Sequence, residues 1–373
     1  MDSVHLIVAA RPNFMKMAPL WHALREERWC RPILVHTGQH YDADMSDAFF
    51  RDLALPPPHH NLGAGSGSHA QQTAAVMVAY EALCMEQPPD WVVVAGDVNS
   101  TLACTITAKK LLLPVCHLEA GLRSFDRTMP EEINRIVTDV LADLLWTPSP
   151  DADANLRREG IPADRIERVG NIMIDSLVML RARIAEARAA QRLGLASRGY
   201  GVVTLHRPSN VDDPQTLERA VAALERAAEH VPLVFPMHPR TRESLRRFGM
   251  ADRLGRLPRI TPISPLGYVE FMSLLTDAAL AITDSGGIQE ETTYLGIPCL
   301  TVRRTTERPI TVTHGTNRLV TWDDLAAQVA GILAAPSAPP EPPPLWDGHT
   351  AARVCASLKA AVERRRSTTA PRE

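Results

Sequence analysis

The sequence predicts an α/β protein of two Rossmann-like, doubly wound domains facing a cleft, and three observations predict it. The chain has 373 residues, above the roughly 250 to 300 at which a single core stops growing. Short, mostly apolar runs recur in both halves, as parallel strands covered on both faces require. Between them lie segments with apolar residues at three- and four-residue intervals, the period of an amphipathic helix.

In order, the strand-like runs of the first half are 4–9, 32–36, 91–95, 114–118 and 144–147, and the helical patterns are 15–27, 68–85, 100–112 and 130–144. Ser or Pro stands at several helix starts, where a hydroxyl can cap and a missing N–H costs nothing. A second series follows, with strands at 201–205, 233–237, 280–283 and 298–302 and helices such as 214–228 and 288–295. The join is expected at 169–171, with a long Arg/Ala-rich helix at 176–193 leading into the second series. This gives an N-terminal domain over 1–170 and a C-terminal one over 171–335. Residues 336–349 are crowded with proline and read as an extended connector. The last helix, 350–366, is expected to rejoin the first domain, with Arg364, Arg365 and Arg366 as a solvated final turn.

The net charge of -3, with acids and bases interspersed, provides no basic field for nucleic acid or an anionic membrane. The first thirty residues carry Asp2, His5, Arg11 and Lys16, which fit neither a signal peptide nor a membrane span. A cytoplasmic enzyme with a small-molecule partner is the expectation. The six cysteines lack CxxC spacing and sit mostly in apolar runs, where thiols pack as small hydrophobes.

In open parallel sheets, ligands lie beyond the carboxyl ends of the strands. Arg11, Asp97, Glu119, His206, His238 and Asp284 each follow an apolar run, and six such residues over both halves point to a shared cleft. Ser285-Gly286-Gly287 separates a strand from a helix, where backbone N–H groups and the dipole favour a diphosphate; a plain Ser285 cap on a tight turn is the alternative. Glu290 and Glu291 read either as first-turn acids or, for Glu291, as an acceptor for ribose hydroxyls. Asp97, Glu119 and Glu131 place three carboxylates near one end of the first sheet, a set able to divide acid and base roles. Each also has a structural alternative: Asp97 in a turn with Asn99, Glu119 paired with Arg123, Glu131 at a helix N-terminus. The glycines at 63–67 follow no strand and form no dinucleotide fingerprint, so no bound NAD is expected. With no HExxH or similar spacing, neither is a metal.

Ten strings in order resemble the non-hydrolysing UDP-N-acetylglucosamine 2-epimerases: RPNFMKMAPL from Arg11, HTGQHYDADMSDAFF from His36, GDVNSTLA from Gly96, HLEAGLRSFDRTMPEEINR from His117, VGNIMIDS from Val169, TLHRPSN from Thr204, FPMHPRT from Phe235, TDSGGIQEE from Thr283, LGIPCLTVR from Leu295 and TERPITV from Thr306. The resemblance implies a glycosyltransferase B-type fold, a UDP-sugar substrate, a homodimer and no cofactor. It implies that Asp97, Glu119, Glu131 and His206 are catalytic. Arg11, Lys16, Arg135 and His238 would contact substrate, Ser285, Gly286, Gly287 and Glu291 would cradle UDP, and Arg308 would close on it. A glycosyltransferase or a hydrolysing epimerase of the same fold would share the cradle. Where regulated relatives carry charged residues for a second, activating UDP-sugar, this chain has Tyr41, Asp42, Pro208 and Ser209, so an activator site is not expected.

Overall fold

The computed structural model describes residues 1–9, 11–38, 52–335, 338 and 340–369, leaving the side chains of residues 11, 368 and 369 outside the description. Strands form where the apolar runs can be covered on both faces. In the first unit, Met1–Met179 with Pro344–Glu373, the described residues form seven parallel strands in the order β3-β2-β1-β4-β5-β6-β7. They are β1 (Asp2–Val8), β2 (Cys30–His36), β3 (His60–Asn61), β4 (Trp91–Ala95), β5 (Val115–Leu118), β6 (Leu144–Thr147) and β7 (Ile166–Arg168). β4 runs through the centre and every one of its residues is buried. On one face of the sheet, Ile7, Val35, Val92, Val94, Val115 and Leu145 pack with Val76, Tyr80 and Ala103 from the helices.

The second unit, Leu180–Pro343, repeats the plan with six parallel strands in the order β10-β9-β8-β11-β12-β13. These are β8 (Gly201–Thr204), β9 (Leu233–Pro236), β10 (Ile260–Ile263), β11 (Leu280–Thr283), β12 (Cys299–Thr301) and β13 (Asn317–Leu319). Val203, Phe235, Ile282 and Leu300 meet Leu217, Val221 and Leu224 of the Pro214–Ala228 helix in its core. Each sheet therefore reverses direction once, between β1 and β4 and between β8 and β11. At such switch points the loops diverge and leave room for a ligand.

The expected helix at 176–193 is three helices, Ile172–Met179, Arg181–Ala187 and Ala189–Arg192. Two different partners break it. Ile172–Met179 packs on the Arg11–Arg25 helix, with Ser176 Oγ donating to the Met15 carbonyl. Arg181–Ala187 and Ala189–Arg192 pack on the Tyr268–Thr276 helix, with the Ala189 N–H donating to Ser273 Oγ at 3.1 Å. Arg188, with φ of 44°, makes the second break. The division of the units thus falls after Met179 rather than at 169–171.

The final helix, Thr350–Thr369, belongs to the first unit. Asp175 accepts from the N–H groups of Thr350 and Ala351 at 3.1 and 2.7 Å, and Trp146 Nε1 donates to Ser357 Oγ at 2.8 Å. Of the proline-rich connector, residues 336, 337 and 339 lie outside the described residues.

Candidate functional site

At the first switch point the chain leaves β4 through Gly96, whose φ of 68° suits glycine. A Cβ there would stand 2.7 Å from Lys16 Nζ, so any larger residue would displace the lysine. Lys16, on the Arg11–Arg25 helix, forms a buried ion pair with Glu119, the residue that follows β5. Glu119 itself has φ of 71°. A non-glycine residue held left-handed costs on the order of 1 to 3 kcal/mol and persists where surrounding structure over-determines it, often at functional sites.

Behind this pair, His117 Nε2 donates to the Gly96 carbonyl at 2.9 Å, and Nδ1 meets Asp139 Oδ1 at 2.6 Å. Burial opposes ionisation of Asp139, but His117 and Arg123 beside it hold its carboxyl below the ordinary value. Arg123 pairs with Asp139 at 2.7 Å and with Glu159 at 2.6 Å. It is therefore the brace of this buried layer, and the partner of Glu119 is Lys16.

Asp97 accepts from Arg135 at 2.9 to 3.0 Å, while Asn134 Nδ2 donates to the Asp97 carbonyl at 2.8 Å. Both partners come from the Pro130–Leu141 helix, whose start is set by Pro130. The two acids that follow it divide their work. Glu132 is buried, pairs with Arg135 and accepts from the Ser124 and Phe125 N–H groups at 3.0 and 2.9 Å. Glu131 is half-buried in the same first turn. Arg11 opens its helix, but its side chain, like Tyr41 and Asp42, lies outside the described residues.

At the second switch point, His206 follows β8 and Asp284 follows β11. Asp284 is fully buried and accepts from the N–H groups of His206 and Arg207 and from Asn210 Nδ2 at 2.9 to 3.1 Å. His206 Nδ1 lies 2.9 Å from its Oδ1. The ring of His238, just beyond β9, lies 5.5 Å from that of His206, and His238 Nδ1 accepts from the Arg240 N–H at 3.2 Å.

The Gly286–Leu295 helix starts at the same end, with Ser285 as its N-cap residue. The Ser285 hydroxyl makes no capping bond to the first turn, so capping is not its job here. Arg308 lies against this helix start: a Cβ on Gly286 would stand 2.6 Å from Arg308 Nη1. Arg308 Nε is 2.9 Å from Glu290 Oε1, and Glu307 is held between Arg303 and Arg308, at 2.8 and 3.8 Å. Burial works against ionisation of Glu307, yet the two guanidiniums hold its carboxyl far below the ordinary value. Glu290 and Glu291 fall in the second turn rather than the first. Glu291 Oε1 accepts from the Tyr268 hydroxyl at 2.8 Å.

The structure thus gathers Lys16 with Glu119, Asp97 with Arg135, His206 with His238, and Arg308 with Gly286, each inside one unit. Sequence reasoning missed three supports. Asp284 was visible as a strand-end residue but not as the acceptor for His206. Tyr268 gave no signal, and Glu290 read only as a first-turn acid rather than as the partner of Arg308, because their partners lie 23 and 18 residues away, at spacings no periodicity marks. Among the described residues no group of three His, Cys, Asp or Glu could hold a metal ion, and no helix is long and apolar enough to cross a membrane.

A profile of the family described as UDP-N-acetylglucosamine 2-epimerase matches residues 22–359. The chain is 42% identical over 323 residues to the UDP-N-acetylglucosamine 2-epimerase of Methanocaldococcus jannaschii, covering 84% of this chain and 87% of that protein. It is 43% identical over 318 residues to the UDP-2,3-diacetamido-2,3-dideoxy-D-glucuronate 2-epimerase of Pseudomonas aeruginosa, with the same coverage. Among solved structures, the M. jannaschii UDP-GlcNAc 2-epimerase in complex with UDP-GlcNAc and UDP superposes with a TM-score of 0.88 at 37% identity, over 96% of this chain and 99% of that one. The Neisseria meningitidis enzyme bound to UDP-GlcNAc gives 0.87 at 26% identity, over 96% and 100%.

Proposed function

Because the chain belongs to the UDP-N-acetylglucosamine 2-epimerase family, we propose that it inverts C2 of UDP-N-acetylglucosamine, eliminating UDP to 2-acetamidoglucal and adding it back to give UDP-N-acetylmannosamine. The observation that supports this most directly is the pair of strand-end carboxylates at the first switch point, Asp97 and Glu119, each held against a cation. The C2 proton has no adjacent carbonyl and is hardly acidic, so departure of UDP must drive its loss. As the C1–O bond loosens, positive charge on the ring makes that proton removable. Asp97, Glu119 and Glu131 carry protons to and from the two faces of C2, with His206 as the further acid–base group. Arg11, Lys16, Arg135 and His238 bind the sugar and diphosphate. The N–H groups of Ser285, Gly286 and Gly287 take the diphosphate at a helix start, Arg308 adds a planar donor, and Glu291 accepts from the ribose.

Proton NMR of UDP-N-acetylglucosamine with the enzyme in deuterated water tests the reading. UDP-N-acetylmannosamine with deuterium at C2 and no free sugar is the expected result. Free N-acetylmannosamine with UDP would mean a hydrolysing enzyme, and an unchanged substrate that reacts only with an acceptor would mean a glycosyltransferase. The sugar named for the Pseudomonas relative differs at C3 and C6, and the same experiment with that nucleotide decides which substrate turns over faster. With Pro208 and Ser209 in place of charged residues, conversion of UDP-N-acetylmannosamine alone begins without a lag; a lag removed by trace UDP-N-acetylglucosamine would reveal an activator site.

The reading includes a second copy of the chain. Val78 and Met85 of the His69–Glu86 helix and Ile133 and Val140 of the Pro130–Leu141 helix are exposed, and half-buried Leu102 and Ile106 lie on the Asn99–Lys110 helix that packs against both. Exposed apolar side chains on neighbouring helices are the kind a homodimer covers. Sedimentation of Val78→Asp/Ile133→Asp should then show a monomer; an unchanged sedimentation coefficient would remove this face from the assembly. The six buried, unpaired cysteines suit a cytoplasmic enzyme.

A further inference from the structure

Asp284 offers only acceptors to the atoms around it. The His206 and Arg207 N–H groups and Asn210 Nδ2 all donate to it, and no water-facing surface remains on its side chain. A carboxylate surrounded by donors stays ionised; burial opposes this, but the His206 contacts and the other hydrogen bonds hold its carboxyl below the ordinary value. An ionised carboxylate cannot donate, so the 2.9 Å contact with His206 Nδ1 requires the hydrogen to sit on the ring.

We propose that Asp284 is a positioning residue: it fixes His206 as the Nδ1–H tautomer, pins the ring orientation through the adjacent backbone N–H, and makes Nε2 the working atom. His238 has the opposite sense. Its Nδ1 accepts from the Arg240 N–H, so its hydrogen is on Nε2. The neighbouring rings, 5.5 Å apart, therefore present one acceptor and one donor. That is the pairing needed to take a proton from one oxygen while donating a hydrogen bond to another. The tautomer assignment stands on the geometry alone, whereas its use in turnover rests on the epimerase reading.

The test separates the two. In the full-length protein labelled with 15N-histidine, ring 1H–15N correlation spectra at alkaline pH report which nitrogen carries hydrogen, and His206→Gln assigns the signal by its loss. The expected pattern has His206 Nδ1 protonated and Nε2 bare. A bare Nδ1, or averaging between tautomers, overturns the proposal without reference to any substrate. Asp284→Asn places an amide nitrogen against N–H donors and should release the ring, giving averaged ring signals. It should lower kcat at least tenfold while KM changes less than threefold. A folded Asp284→Asn protein with the wild-type tautomer and kcat would also overturn it. If that variant does not fold, the wild-type spectrum decides alone. A correct tautomer in a protein that does not epimerise would leave the positioning intact and remove the epimerase reading.

Discussion

The two units share a strand order and reverse it at the same place, yet they present opposite charges there. At the first switch point one acid faces outward, the Asp97 side chain keeping 31% exposure over an Arg135 that keeps 4%, while Lys16 and Glu119 are both buried. At the second the acids are hidden and the bases face outward. His206 keeps 37% over an Asp284 with none, and Arg308 keeps 13% over a Glu290 with 1%. Topology chooses the location of a site, while the choice of which partner to bury chooses its chemistry. An acid-presenting end suits proton transfer at carbon. A base-presenting end suits the charge that grows on a departing diphosphate.

The sharpest way to break this comparison is to neutralise each end in turn. Asp97→Asn and Glu119→Gln should each lower turnover by roughly 10²- to 10⁴-fold, the usual contribution of a positioned acid or base, with UDP affinity by calorimetry little changed. Amide variants that keep turnover but bind UDP weakly would reverse the roles of the two ends.

Acid should also separate the units. Burial holds His5 down to about 4, aided by His60 and Arg31, and lowers His36 and His59 as well; all three lie in the first unit. A histidine kept neutral in the fold resists a proton that the unfolded chain accepts. Its neutral form therefore costs nothing above pH ~6.5, and stability falls as pH drops from there toward 4. For His5 alone the loss is about 3 kcal/mol at the bottom of that window. Asp284 and Glu307 of the second unit are held below their ordinary values, so their contribution is lost only at lower pH, as the carboxylates are protonated. Calorimetric scans between pH 7 and 4.5 should show the first unit's transition moving and the second's holding. Equal movement of both transitions would count against the assignment, and His5→Phe should flatten the dependence.

How much of this was legible follows from what each element buries. The strands found by apolar runs are the interior ones, covered on both faces. The four that gave no such signal, β3, β7, β10 and β13, are the four sheet edges. An edge strand is short and half-open: β7 reads Ile166-Glu167-Arg168, with two of three residues exposed. Lys16 and Arg135, inside helices, and Arg308, in a loop, were reached only through the family resemblance. Asp97, Glu119, His206, His238 and Asp284 were legible for the same reason as the central strands, since each comes just after a buried run. Their partners were not. Lys16 and Glu119 are 103 positions apart, and only the sheet order brings them together; Arg123, nearer in sequence, is drawn instead to Asp139 and Glu159.

Arg308 sharpens the comparison from the other side. A charge-assisted hydrogen bond is worth about 1.5 to 3 kcal/mol, so Arg308→Ala should weaken UDP binding by roughly ten- to a hundredfold while the acids of the first unit remain in place. The change also strips Glu290 of a partner inside the protein, which destabilises the fold. Arg308→Ala/Glu290→Gln should recover stability without recovering affinity. Recovered affinity in the double variant would show that the loss came from distortion of the helix start rather than from a missing donor.

The smallest effect compares two serines at helix starts. Ser68 caps the His69–Glu86 helix of the first unit: its hydroxyl accepts from the Gln71 N–H at 3.3 Å, and the Gln71 side chain accepts from the Ser68 N–H at 3.0 Å. Ser285 holds the same position on the Gly286–Leu295 helix but makes no such bond. A hydroxyl that satisfies a helix N–H adds about 1 kcal/mol to stability, and one that does not should add almost nothing. Ser68→Ala should therefore lower the unfolding free energy by about 1 kcal/mol and leave turnover alone. Ser285→Ala should leave stability within about 0.5 kcal/mol, the range of ordinary surface changes, and raise KM instead. If Ser285→Ala destabilises as much as Ser68→Ala and KM is unmoved, Ser285 is a cap after all. The second unit's helix start would then lose its claim to the diphosphate, and with it half of the contrast between the two switch points.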